Sequence, residues 1–328
     1  MTQSHRVLML AYPGCQLLDV TGPMQMFAGA NDELGRQAYE LVIVAPDGGP
    51  VRTSSGIGVV ADLAISHFTP AKLRRSDTVI AAGGDEGLRQ VLERGQVTEL
   101  VKAAARRGSR VVSVCSGAFF LAAAGVLDGR RAATHWRVVD RLRRFRPQID
   151  VDAEAIYVRD GNVWTSAGVT SGIDLALALI EADFGRAVAL AVARRHVVFR
   201  IRPGGQRQYS MELTAQGVRD PRLAKIAELI AEHPQRDWRT DTLASAAGLS
   251  LRSLSRLFRK ELNTSPAEFV ERVRLDQARR ALLDSSAPIE RIADRCGFGS
   301  LRRMDRAFAR GISATPSEFR ARFKSAGA

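Results

Sequence analysis

The feature that most restricts this chain is a repeat near its C-terminus. Leu243-Ala244, Gly248, Ser250, Leu254, Arg256, Phe258, Ser265-Pro266 and Glu268-Phe269 recur as Ile292-Ala293, Gly297, Ser300, Met304, Arg306, Phe308, Thr315-Pro316 and Glu318-Phe319. The offset is 49 residues up to the glycines and 50 from the serines onward, so one extra residue sits in the second turn, Gly297-Phe298-Gly299. Matched residue types held in register over so many positions mean a duplicated helical unit. Its grammar is that of a helix-turn-helix.

In the first copy, Thr240 or Asp241 is expected to cap a short helix, 242–247, with small Ala244 at the helix crossing and Gly248 at the turn. Ser250 caps a second helix, 251–262. There Leu254, Leu257 and Phe258 form an inward stripe, and Arg252, Ser255, Arg256 and Arg259 face outward. The second copy places a helix at 289–296, the turn at Gly297 and a cap at Ser300. On its second helix, 301–310, Met304 and Phe308 point inward and Arg302, Arg303, Asp305 and Arg306 lie on the open face. A single exposed arginine is no more than a solvated helix face. Arginines matched in both copies suit guanine edges or phosphates, and Asp305 suits either a cytosine amino group or a weakened phosphate contact. Pro266 opens a long helix to about Leu283, which would hold the two readers in successive major grooves, roughly 34 Å apart. An amphipathic helix over 222–232 precedes them, with Leu223, Ile226, Ala227 and Ile230 on one face.

The first two thirds of the chain have a different rhythm. Short apolar runs at 5–12, 39–45, 77–82, 110–114 and 163–167 end in Pro-Gly or Gly-Gly signals and alternate with helical stretches. A helix is expected over 24–28 with Pro23 in its first turn, another over 86–107, a hairpin or edge strands over 51–65 and a long helix over 172–181. This alternation predicts a parallel α/β sheet covered on both faces, a flavodoxin-like sandwich. Val114-Cys115-Ser116-Gly117-Ala118 then has the strand, polar residue, small residues and helix of a nucleophile-elbow-type turn. A cysteine held there would have its thiolate favoured by the helix dipole. Cys115 is therefore a candidate nucleophile, oxidation sensor or pocket-lining residue, with Asp19 as its acid/base or hydrogen-bond partner. It also suits the bland role of a small residue in a strained turn. Ser116 and His135 are secondary candidates, and Cys15 and Cys296 read as structural.

Two resemblances become specific at these residues. Asp19-Val20-Thr21-Gly22-Pro23, Cys115-Ser116-Gly117-Ala118, Ala133-Thr134-His135-Trp136 and the stretch from Thr165 to Asp174 resemble the PfpI-like branch of the class I glutamine amidotransferase superfamily. Isonitrile hydratases of that branch carry an Asp and a Cys where this chain has Asp19 and Cys115. Many other members follow the cysteine with His, where this chain has Ser116. The second resemblance is to the AraC/XylS family. It rests on Ser250-x-Arg252-x-Leu254-x-Arg256-x-Phe258, Ser265-Pro266, Arg274-Leu275, Ala278-Arg279, Ile292-Ala293, Gly297-Phe298 and Thr315-Pro316. The order of the two domains is that of GlxA-like regulators. The resemblance implies a DNA-binding transcription regulator, an activator, with a PfpI-like effector-sensing and dimerising domain at 1–200, a linker at 201–220 and a DNA-binding domain at 221–328. The alternative is a Cys115-dependent hydratase or hydrolase, or a redox sensor, with a regulatory DNA-binding module.

Charge agrees with a polyanionic partner. The formal net charge is +13. Residues 203–328 hold 23 basic and 15 acidic side chains, so the shorter part is the more basic per residue. Three cysteines without paired spacing argue against a disulfide framework and against a zinc site, and they fit a reducing cytoplasm. No signal-peptide pattern and no bilayer-length apolar run is present. The expected partners are promoter DNA, RNA polymerase, a small-molecule effector and a second copy of the chain, with no membrane, metal or cofactor. The expected location is the cytoplasm, at the nucleoid.

Overall fold

The computed structural model describes residues 4–85, 87–198, 202, 204, 208, 218–312 and 314–324. The chain divides into two compact units, Met1–Gln208 and Tyr209–Ala326. The expected linker, 201–220, lies outside the described residues except at 202, 204, 208 and 218–220.

The strands of the first unit are β1 (His5–Leu10), β2 (Tyr39–Ala45), β3 (Gly49–Arg52), β4 (Gly58–Ala61), β5 (Leu63–Ala64), β6 (Thr78–Ala81), β7 (Arg110–Val114), β8 (Arg131–Ala133), β9 (Asp150–Asp152), β10 (Tyr157–Asp160) and β11 (Val163–Ser166). Seven of these described strands form one sheet in the order β10-β11-β7-β6-β1-β2-β5. Pairing is parallel throughout except at β10, which runs antiparallel to β11. The inner strands β1, β6 and β7 are buried along most of their length, so helices cover both faces, as their continuous apolar runs require. Stretch 51–65 resolves into the hairpin β3–β4 and the edge strand β5.

The helices are α1 (Leu17–Leu34), α2 (Leu88–Arg94), α3 (Gln96–Arg107), α4 (Ala118–Ala123), α5 (Val139–Phe145), α6 (Thr170–Phe184) and α7 (Arg186–Arg195). Two expectations are corrected here. Asp19 to Pro23 belong to the opening turns of α1, which begins at Leu17. Pro23 sits inside the helix and leaves the Asp19 carbonyl without its usual donor four residues on. The stretch 86–107 is two helices because Gly95 adopts φ +71° and ends α2 in a left-handed cap.

In the second unit, Asp220 caps α8 (Pro221–Glu232) by accepting the Arg222 N–H. There follow α9 (Thr240–Ala247), α10 (Leu251–Leu262), α11 (Pro266–Asp284), α12 (Ile289–Arg295), α13 (Leu301–Ile312) and α14 (Pro316–Lys324). The capping expected of Thr240 or Asp241 is also corrected. α9 starts at Thr240 itself, and no side chain caps it. Ser250 does cap α10 through the Ser253 N–H, and Ser300 Oγ accepts the Arg303 N–H.

The unit has two cores joined by one helix. Phe269, Val270 and Val273 on the first half of α11 pack with Leu243, Leu254 and Phe258. Leu275, Ala278 and Leu282 on its second half pack with Ile292, Met304 and Phe308. The duplication survives in detail: Phe258 meets Phe269 edge-on at 5.6 Å, and Phe308 meets Phe319 at 5.8 Å. Each copy also carries a reciprocal capping box. Ser265 with Glu268 opens α11, and Thr315 with Glu318 opens α14. Replacing Ser265 by Ala should lower the stability of this unit by about 1 kcal/mol. The check is urea unfolding of the full chain followed by circular dichroism, and an unmoved transition would count against the cap.

Candidate functional site

Cys115 stands at the C-terminal end of β7, on the sharp turn into α4, with φ +57°. Val169, at the turn into α6, is also left-handed, with φ +52°. Such conformations cost about 1–3 kcal/mol each in a residue with a Cβ, and they persist only where the surroundings impose them. Gly168 is part of that imposition. Its φ is +98°, and a Cβ there would stand 2.3 Å from the Cys115 Cβ. The backbone of one turn therefore lies directly against the cysteine of the other.

Asp19 holds the two turns together. Its carboxylate is wholly buried, and it accepts the Val169 N–H at 2.7 Å and the Gly83 N–H at 3.1 Å. The Cys115 thiol lies beside it and, with those two N–H groups, favours its charged form. Burial nevertheless dominates, and the Asp19 pKa is pushed up to about 6. Burial also pushes the Cys115 thiol well above its ordinary value, and the adjacent Asp19 charge pushes it further. The expectation of a dipole-stabilised thiolate is thus corrected. The hydrogen bond from Ser116 opposes the shift but is outweighed by burial beside a carboxylate.

The other candidates separate. The Ser116 hydroxyl is tied to Gly84, accepting its N–H at 2.9 Å and donating to its carbonyl at 3.0 Å. His135 caps a short turn, with Nδ1 accepting the Arg137 N–H at 3.4 Å. Burial and Arg137 lower its pKa. Its neighbour Thr134, which sequence reasoning passed over, reaches the elbow instead and donates to the Cys115 carbonyl at 2.9 Å. Tyr12 was also missed. It is fully buried, and among the described residues its hydroxyl has no hydrogen-bond partner. Its only sequence signal was its place at the end of the first apolar run.

Two later residues tie the end of this unit to the same loops. Gln208 accepts the Trp136 N–H at 2.8 Å and donates to the Thr134 carbonyl at 2.8 Å. Arg202 pairs with Asp174 at 2.6 Å and donates to the Thr170 hydroxyl at 3.0 Å, one residue beyond Val169.

In the second unit, α10 exposes Arg252, Ser255, Arg256 and Arg259, and α13 exposes Arg302, Arg303 and Arg306 with Asp305 partly covered. Leu251, in the first turn of α10, is 54% exposed, an apolar group left next to the arginine face. Among the described residues no cluster of His, Cys, Asp or Glu could hold a metal ion, and no helix is long and apolar enough to cross a membrane.

A mostly parallel α/β unit with a strained cysteine turn, followed by two helix-turn-helix motifs on a common helix, defines a composite architecture. Residues 5–182 match the DJ-1/PfpI family, and residues 243–322 match a helix-turn-helix domain. The chain belongs to the DJ-1/PfpI family and carries an AraC-type helix-turn-helix domain. It is similar to the HTH-type transcriptional regulator CdhR of Pseudomonas aeruginosa, with 32% identity over 95% of this chain and 90% of that one. It is also similar to the HTH-type transcriptional regulator GlxA of Rhizobium meliloti, with 31% identity over 93% of this chain and 92% of that one. Among solved structures, a THiJ/PfpI family protein from Pseudomonas syringae superposes with a TM-score of 0.55, with 27% identity over 75% of this chain and 92% of that one.

The site predicts a reactivity order. At pH 8 Cys115 should react slowly with iodoacetamide, and Asp19→Ala should speed the reaction, because removing the adjacent negative charge lowers the thiol pKa. Peptide mapping separates Cys115 from the buried Cys15 and Cys296. Equal rates in the two proteins would place the Asp19 charge outside the thiol's field.

Proposed function

We infer that this protein is a DNA-binding transcription regulator, binding promoter DNA through α10 and α13 and receiving a small-molecule signal at the turns around Cys115 and Asp19. The observation that carries the reading is the pair of capped helices with arginines exposed at matched positions, Arg252 with Arg302 and Arg256 with Arg306. A solvated face has no reason to keep that register twice. Bidentate arginine contacts to guanine read sequence, and the remaining guanidinium groups set the protein's position on the backbone. Asp305 in the second copy, where the first has Ser255, gives the two helices different base preferences.

The first unit acts as the input. A raised thiol pKa leaves Cys115 protonated at neutral pH, which favours ligand binding over nucleophilic turnover. The bonds from Gln208 and Arg202 tie the loops around Cys115 to the end of the first unit, which supports a route from that site towards the DNA-binding unit. A second copy of the chain, RNA polymerase at the promoter and an activating role complete the proposal. The cytoplasmic nucleoid is the place such a protein works.

Duplexes selected from genomic DNA with the purified protein supply the test. Arg256→Ala and Arg306→Ala should each weaken binding to a selected duplex by about 1–3 kcal/mol and relax the sequence preference at the contacted position. Full affinity and full preference in both variants would remove α10 and α13 as readers.

A further inference from the structure

A cleft of about 560 Å³ lies within the second unit, between its two helix-turn-helix halves. It is lined by Arg239 before α9, by Glu271 and Arg274 on α11, and by Arg303, Arg306 and Arg310 on α13. Three of these arginines, 239, 274 and 310, lie outside the recognition positions read from the repeat.

The floor of the cleft is firmly built. Arg274 Nε donates to the Pro234 carbonyl at 2.9 Å, and Nη2 donates to the Arg236 carbonyl at 2.9 Å. A Cβ on Gly297, which has φ +82°, would stand 2.1 Å from that Pro234 oxygen. The turn of the second half is thus seated on the loop that precedes the first, with Arg274 held between them.

Charge in the cleft is unbalanced. Arg310 pairs with Glu271 at 2.7 Å, and Arg239 pairs with Asp237 at 3.0 Å and lies 3.9 Å from Asp241. Five positive groups therefore face three negative ones. Burial lowers the Arg274 pKa, and the charges of Asp237 and Arg303 act on it in opposite directions, Asp237 the more strongly. Guanidinium groups gathered around an open space raise the local potential and favour entry of an anion. Their planar donors match phosphate oxygens. Arg303 and Arg306 belong both to the cleft and to the proposed reading face, so a duplex laid on α13 brings its backbone to the cleft mouth.

We propose that this cleft grips a backbone phosphate of the DNA between the two read sites. The proposal rests on the DNA-binding reading given above. A phosphate held there carries no sequence information and fixes the register of the duplex against both recognition helices.

The test compares full-length variants on a selected duplex and on a shuffled duplex of the same length, across a range of salt concentrations. Arg239→Gln should lower the slope of log affinity against log salt by about 0.9 on both duplexes, the signature of one lost phosphate contact. Ala267 lines the cleft and is exposed in the first turn of α11. A carboxylate suits that helix N-terminus, so Ala267→Glu should keep the fold while placing a negative charge where the phosphate would sit. It should weaken binding to both duplexes roughly tenfold, and Ala267→Gln should not. An unchanged slope for Arg239→Gln, with Ala267→Glu binding like Ala267→Gln, overturns the phosphate site. If Arg256→Ala still loses sequence preference in that case, the DNA-binding reading stands without the cleft. A loss confined to the selected duplex also overturns the proposal, because it marks base contact. Loss of neither affinity nor preference in any variant, Arg256→Ala and Arg306→Ala included, removes the underlying reading as well.

Discussion

Much of the second unit depends on one helix serving two cores. α11 gives Phe269, Val270 and Val273 to the first half and Leu275, Ala278 and Leu282 to the second. At 19 residues it rises about 28 Å, enough to keep the halves apart and too stiff to let them turn independently. Arg274, between the two apolar groups, adds hydrogen bonds to the loop before α9. A helix of this kind turns two small modules, each with a modest core, into one reading surface of defined geometry.

A comparable constraint operates in the first unit through a buried carboxylate. Asp19 is placed by α1, yet its bonds go to Gly83 beyond β6 and to Val169 before α6. One group thereby gathers three chain segments around Cys115. Keeping it buried raises its pKa to about 6, so the protonation state of this knot changes in mildly acidic conditions. The same burial, with the Asp19 charge beside it, raises the Cys115 thiol pKa above its ordinary value.

Legibility differed between the two units for a physical reason. Recognition helices are amphipathic surface helices, and caps, turn glycines and a 3.6-residue period are all local signals. Ser250, Gly248 and the buried stripe of Leu254 and Phe258 could be placed from spacing alone. In the α/β unit the strand positions were legible from apolar runs, and Tyr39–Ala45 and Arg110–Val114 have the expected bounds. The start of α1 was not, because Pro23 looked like a helix opening and instead lies within the helix. The short strand β10 was not read from the apolar runs, although Asp160-Gly161-Asn162 is a tight-turn signal and joins it antiparallel to β11.

By itself, then, the sequence determined the duplicated helical unit, the alternating α/β unit before it, and which arginines lie on open helix faces. These follow from periodicity and turn chemistry within a few neighbouring residues. Only the tertiary structure decided that Asp19 joins Val169 and Gly83 beside Cys115, that Thr134 rather than His135 bonds the elbow, and that Arg239, Arg274 and Arg310 share a cleft with Arg303 and Arg306. Those groups are far apart in the chain. Their proximity, and the charge shifts that come with it, exist only once the cores have packed.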